Sequence, residues 1–153
     1  MPPIAFQDRI PDNLCYGCGP FNDSGLRIKS YWEGDEAVCT FQPGRHHSAG
    51  PAQFVNGGII ATLVDCHCVC TAIAHAYRVE GRAIGSEPTI WCVTANLNVT
   101  YLRPTPIEHP LTLRAGITES GPKKTRLWCT VRSGGEECAR GEVLAVRVPA
   151  SWR

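Results

Sequence analysis

The stretch FVNGGIIATLVDCHCVCTAIAHAYR, Phe54 to Arg78, constrains the fold most. From Asn56 to about Tyr77 its apolar residues recur with helical period, and Arg78 suits a helix C-terminus. On both sides the apolar residues alternate with period two. LRIKSYWEGDEAVCTFQP reads as two strands around the turn Glu33-Gly34-Asp35. Later runs pair Leu97, Val99 and Tyr101; Leu111, Leu113, Ala115 and Ile117; Thr125, Leu127, Cys129 and Val131; and Val143 with Ala145. Pro104-Thr105-Pro106, Gly121-Pro122 and Gly134-Gly135 separate them. Short connections imply antiparallel neighbours, and a lone helix must cover one face of their sheet. A rod of roughly 21 residues is about 31 Å long, enough to cross six strands. The expectation is one α+β domain over residues 1–153, with residues 1–25 as a looped lead-in.

The helix opens on its weakest formers, Gly57 and Gly58, and keeps an acid, Asp65, within an apolar run. On a wheel, Ile59, Ile60, Leu63, Cys66, Cys70, Ile73 and Tyr77 form a bulky arc expected to face the sheet. Gly58, Ala61, Asp65, Cys68, Ala72 and Ala76 form a small-residue face expected to turn away. Asn56 is a good N-cap, and glycines in the first turn leave N–H groups uncovered at the positive end of the helix. Such groups can bind an anion or a developing oxyanion. A packing role for the glycines and a solvent-facing Asp65 fit the same pattern. Gly57 and Asp65 are about 12 Å apart along the axis, too far to serve one carbonyl from one helix. Two antiparallel helices from two chains could do so.

The composition excludes several classes. A net charge of +1 provides no concentrated basic field for nucleic acid or a membrane surface. The start MPPIAFQDRIPDN lacks a basic region followed by an apolar stretch, and no apolar run is expected to reach the roughly 18 residues that span a bilayer, so a cytoplasmic protein is expected. Nine cysteines, an odd number, read as small buried hydrophobes in a reducing compartment.

Three segments in order, CYGCGPFNDSGLRI, NGGIIATLVD and TANLNVTYLRPTP, resemble the PaaI-like acyl-CoA thioesterases of the hot-dog fold. The resemblance covers about residues 14–148. It implies a homodimer whose sheets join edge to edge, with pairing into a homotetramer also seen in the family. It implies hydrolysis of acyl-CoA to a carboxylic acid and a free thiol, without metal or bound cofactor. Gly57 and Gly58 match the glycines whose amides polarise the thioester carbonyl. Asp65 matches the carboxylate that attacks or activates water. Thr94 matches a hydroxyl residue that approaches the attacking group across the interface. Many relatives have His where this chain has Asn56, which can hydrogen-bond but not become a cation at neutral pH.

Other residues offer weaker signals. Cys15-x-x-Cys18 has the spacing of a metal or redox pair, but no second pair of equal spacing accompanies it, so a loop near the substrate entrance is expected. Arg103, Lys123 and Lys124 are candidates for holding coenzyme A phosphates, with Arg126 beside them. Arg45-His46-His47 is read as a solvated loop, and His67 as a satisfied core histidine. Trp91, Trp128 and Trp152 could line an acyl pocket or simply pack. A non-catalytic acyl-CoA binder and a hot-dog dehydratase or hydratase are the competing functions; the latter needs a histidine beside an acid.

Overall fold

The computed structural model describes residues 1–152. A short helix α1 (Phe6–Arg9) precedes strands β1 (Ser30–Glu33) and β2 (Glu36–Phe41). The long helix α2 (Gly57–Val79) follows, then β3 (Trp91–Tyr101), β4 (Leu111–Ser120), β5 (Lys124–Ser133) and β6 (Glu136–Val148). The six strands form one sheet in the order β1-β2-β4-β5-β6-β3, and every pairing is antiparallel. This is the hot-dog arrangement, one long helix packed on a six-stranded antiparallel sheet.

The period-two runs of β4, β5 and β6 bury Leu111, Leu113, Ala115, Leu127, Cys129, Val131, Val143 and Ala145 in the core, whereas Leu97 and Tyr101 of β3 remain exposed. The chain leaves α2 for the far edge of the sheet, where, among the described residues, β3 pairs only with β6. Along this strand Val93 and Leu97 are each 37% exposed and Tyr101 is 50% exposed. An eleven-residue edge strand with exposed apolar side chains is open to pairing with another strand.

The orientation of α2 departs from the wheel. Val64 lies against Gly141 of β6, where an added Cβ would come within 2.3 Å of Val64 Cγ1. Cys68 meets Cys129 of β5, and both Cys68 and Ala72 are buried. Part of the supposed outer face therefore lies on the sheet, while Cys66 and Cys70, expected there, face Cys15 and Cys18 instead. The cause is the N-terminal segment. It is not a loose lead-in: Ala5, Phe6, Gln7, Ile10, Asn13, Cys18 and Ile28 are buried, and Phe6 packs on Trp32. A helix covered on both sides has no polar stripe from which to read its rotation. The same burial accounts for a second correction. Gly57–Val79 contains an 18-residue window of mean hydropathy 1.6, long and apolar enough for a membrane span, and 61% of that window is buried inside the domain.

One buried polar chain ties these layers together. Gln7 Nε2 donates to Ser30 Oγ at 2.8 Å, and Ser30 N–H donates to Gln7 Oε1 at 2.8 Å. The Ser30 hydroxyl donates to His67 Nδ1 at 2.7 Å, and His67 Nε2–H donates to the Ala37 carbonyl at 3.1 Å. His67 is thus the satisfied core histidine expected, in its Nε2–H tautomer. Burial pushes its pKa from 6.5 down to about 4. Between those values the unfolded chain binds more protons than the folded one. The contribution is complete above pH 6.5 and lost as pH falls towards 4, roughly 3 kcal/mol in all. Unfolding in urea should show wild type losing about 2–3 kcal/mol more than His67→Gln between pH 7 and pH 4. Equal losses would contradict this assignment.

Candidate active site

The start of α2 is fixed by hydrogen bonds that determine which amides remain available. Val55 N–H donates to the Thr105 carbonyl at 2.9 Å, and Asn56 N–H donates to the His47 carbonyl at 2.8 Å. The Tyr101 hydroxyl donates to the Gly57 carbonyl at 2.5 Å. Asn56 caps the helix as expected, and its side chain takes up two of the first-turn amides. Asn56 Oδ1 accepts from Gly58 N–H at 2.7 Å and from Ile59 N–H at 3.2 Å. The Gly58 amide is therefore occupied by the cap. Among the described residues, the Gly57 N–H has no acceptor and is the donor left for a ligand. The Arg45–His47 loop forms a 3₁₀ turn whose role is to brace this helix start.

Asp65 sits two turns further on and is half-buried. It does not look away from the sheet: its Oδ1 accepts from Thr94 Oγ1 of β3 at 2.5 Å. The contact is made within one chain, so Thr94 does not require the partner subunit that the resemblance implied. A one-residue register shift between Thr94 and Asn96 marks a bulge in β3, the kind of feature that re-aims a side chain. Burial raises the Asp65 pKa above its ordinary value of 3.8, the Thr94 hydroxyl opposes that rise, and negative charge at Cys18 adds to it. A carboxylate with raised proton affinity is a better base at neutral pH.

The two halves open into different cavities. Asp65 and Thr94 line one of about 220 Å³ with Ile10, Cys15, Cys66 and Trp91. Gly57 lines another of about 500 Å³ with Phe54, Ile60, Tyr101 and Arg103. The helix rise that separates Gly57 from Asp65 by about 12 Å is thus expressed as two separate hollows. The CYGC loop does reach the acid's cavity, and Trp91 is the one of the three proposed tryptophans that lines it. Trp128 stacks over Gly116, and Trp152 is 69% exposed.

The candidate phosphate-holding cations are not gathered in one place. Arg103 borders the Gly57 cavity but pairs with Glu136 at 2.6 Å. Lys123 borders a third cavity, about 350 Å³, with His75, Glu80 and Arg147 at the other end of α2. Lys124 is exposed and lines none of these cavities, and Arg126 pairs with Glu119. Tyr101 is the site residue missed from sequence. The run NVTY marked it only as a strand position, with nothing to show that its hydroxyl would reach the Gly57 carbonyl.

A model of the thioesterase superfamily matches residues 52–139, from the loop before α2 into β6. Acyl-coenzyme A thioesterase THEM4 of Mus musculus is 32% identical over 109 residues, and that of Rattus norvegicus is 29% identical over the same length. Each alignment covers 71% of this chain, which spans only 41% of the length of either relative. The structure of a thioesterase superfamily protein from Shewanella loihica PV-4 superposes with TM-score 0.66 at 37% identity, covering 80% of this chain and 91% of that one. The PaaI protein of E. coli shares the fold at TM-score 0.65 and 17% identity, covering 81% of each chain.

The cap is testable separately from any chemistry. Asn56→Ala should cost about 1 kcal/mol in denaturant unfolding, and Asn56→Asp should stay within a few tenths of wild type. Equal losses in both variants would show that the Oδ1 contacts do not hold the helix start.

Proposed function

The chain belongs to the thioesterase superfamily, and we propose on that premise that it hydrolyses acyl-coenzyme A to a carboxylic acid and coenzyme A. The observation that carries this reading is the half-buried Asp65 carboxylate, held by Thr94 over a largely apolar cavity. In the proposed reaction the thioester oxygen accepts a hydrogen bond from Gly57 N–H. Asp65 either attacks the carbonyl carbon or takes a proton from the water that does. The carbon–sulfur bond then breaks, the thiol leaves with a proton, and water supplies the oxygen of the acid. No cofactor enters this scheme.

Gly57 and Asp65 of one chain open into different cavities, so the scheme requires a homodimer. Asp65 of the partner subunit then faces the helix start of the first. The long exposed edge of β3, which also carries Thr94, supports pairing of two sheets there. Further pairing into a tetramer is compatible with the same edge contact.

A second reading, an acyl-CoA binder without turnover, draws on the Gly58 amide. With that donor capped, one amide rather than two is left for the oxyanion. A dehydratase needs a histidine at the reacting centre. His67 cannot serve, since both its nitrogens are engaged in the core.

Loss of thioester absorbance across an acyl-CoA panel separates these readings. Asp65→Asn should lower kcat by about 10²–10⁴-fold with unchanged thermal unfolding. Thr94 acts through Asp65, so Thr94→Val should lower kcat roughly tenfold while KM stays put, and Thr94→Ser should restore it. A wild-type protein that binds acyl-CoA without consuming it, or an undiminished Asp65→Asn variant, would overturn hydrolysis by this site.

A further inference from the structure

Four thiols from two distant stretches converge where the N-terminal segment crosses α2. Cys15 Sγ lies 3.6 Å from Cys66 Sγ, and Cys70 Sγ lies 3.6 Å from Cys18 Sγ. The sulfurs of Cys15, Cys18 and Cys66 are all within 4.8 Å of one another. These separations far exceed the roughly 2.05 Å of a disulfide, and all four thiols are free. They match another geometry. A tetrahedral ion bonded to thiolates at about 2.3 Å has sulfur–sulfur edges of about 3.8 Å.

The sequence spacing supports the same geometry. Cys15-x2-Cys18 and Cys66-x3-Cys70 both fall within the two-to-four-residue spacing of zinc ligand pairs. Cys66 and Cys70 are one helical turn apart and share a face, whereas Cys68 points to Cys129 and takes no part. The second pair need not repeat the first spacing. A helix supplies its pair at i, i+4, and a turn supplies its pair at i, i+3.

We propose that Cys15, Cys18, Cys66 and Cys70 form a structural site for one thiophilic divalent cation of the zinc class, fastening the N-terminal segment to α2. Cys15, Cys18 and Cys66 form three corners, and Cys70 closes the fourth from beside Cys18 by a side-chain rotation. The turn is built to sit this close: a Cβ at Gly17 would lie 2.3 Å from Cys66 Sγ, so only glycine fits. Gly19 N–H donates to the Cys15 carbonyl at 2.8 Å, closing the turn. Asn13 supports both ligands of the turn, its Oδ1 accepting from Cys15 N–H at 3.1 Å and its Nδ2 lying 3.5 Å from Cys18 Sγ. Such outer contacts orient metal ligands.

Four thiolates complete a tetrahedral shell, leaving no position for substrate or water. The ion's role is therefore to hold structure. Cys15, Cys18, Cys66 and Cys70 also line the Asp65 cavity, so the ion would stiffen that wall. Such a site is independent of thioester hydrolysis.

The full chain, purified under reductant with zinc in the growth medium, should carry about one zinc per chain by elemental analysis and native mass spectrometry. Cys15→Ser and Cys18→Ser should lose it, and Cys138→Ser, outside the cluster, should keep it. Cobalt(II) added to metal-stripped wild type needs no variant to fold. It should produce a thiolate-to-cobalt charge-transfer band saturating at about one equivalent, weakened by roughly a quarter in Cys70→Ser. Reduced wild type that takes up neither metal, a cobalt spectrum without that band, or zinc retained by the Cys15→Ser/Cys18→Ser double variant would overturn the site. A Cys15–Cys66 disulfide recovered from protein without metal uptake would overturn it in favour of a redox pair.

Discussion

The architecture depends on burying one 23-residue helix from two sides. The sheet takes Val64 and Cys68; the N-terminal segment takes Cys66 and Cys70. Neither layer covers α2 alone. The polar chain from Gln7 through Ser30 and His67 to Ala37 crosses all three layers with each group paired. Leaving one of those buried groups unpaired would cost about 1–3 kcal/mol, which fixes the relative position of segment, helix and sheet. The rest is positioned by that sandwich: Asp65 at the border with β3, and Gly57 at the braced end.

Much of this was legible in the residues, for reasons that can be stated. Strands β4 to β6 each bury one face, so alternation located them. Asn56 capped the helix because an Asx side chain before a glycine pair has few other uses. Helix rotation was not legible, because α2 is apolar on nearly every face and a wheel finds direction only where one stripe is polar. The lead-in was misjudged for a related reason. Its Pro, Gly, Asp and Asn signalled turns, and turns say nothing about whether a segment lies on a core or in water.

The site shows the same division. Asp65 and Gly57 stood out because an acid in an apolar helix and a glycine pair at its start violate local preference, as functional positions often do. For Gly58 a cap and an oxyanion donor draw on the same N–H, and only coordinates show that Asn56 Oδ1 holds it. The contacts of Thr94 and Tyr101 depend on a bulge and on strand order, neither written in a short window. The four-thiol cluster joins residues more than fifty positions apart and emerges only when the segment is laid across the helix.

The central claim is that one reaction centre draws Gly57 from one subunit and Asp65 from another. Gly57→Pro removes the N–H at the first helical position, where proline is tolerated and where the preceding Asn56, at φ −57° and ψ 134°, already has a backbone compatible with a following proline. Co-expressing Gly57→Pro and Asp65→Asn chains, each inactive alone, tests the claim most directly. Random pairing should restore about a quarter of wild-type turnover, because each mixed dimer contains one intact centre. Mixed dimers as inactive as either parent would contradict the account, since a centre built within one chain cannot be repaired by its neighbour.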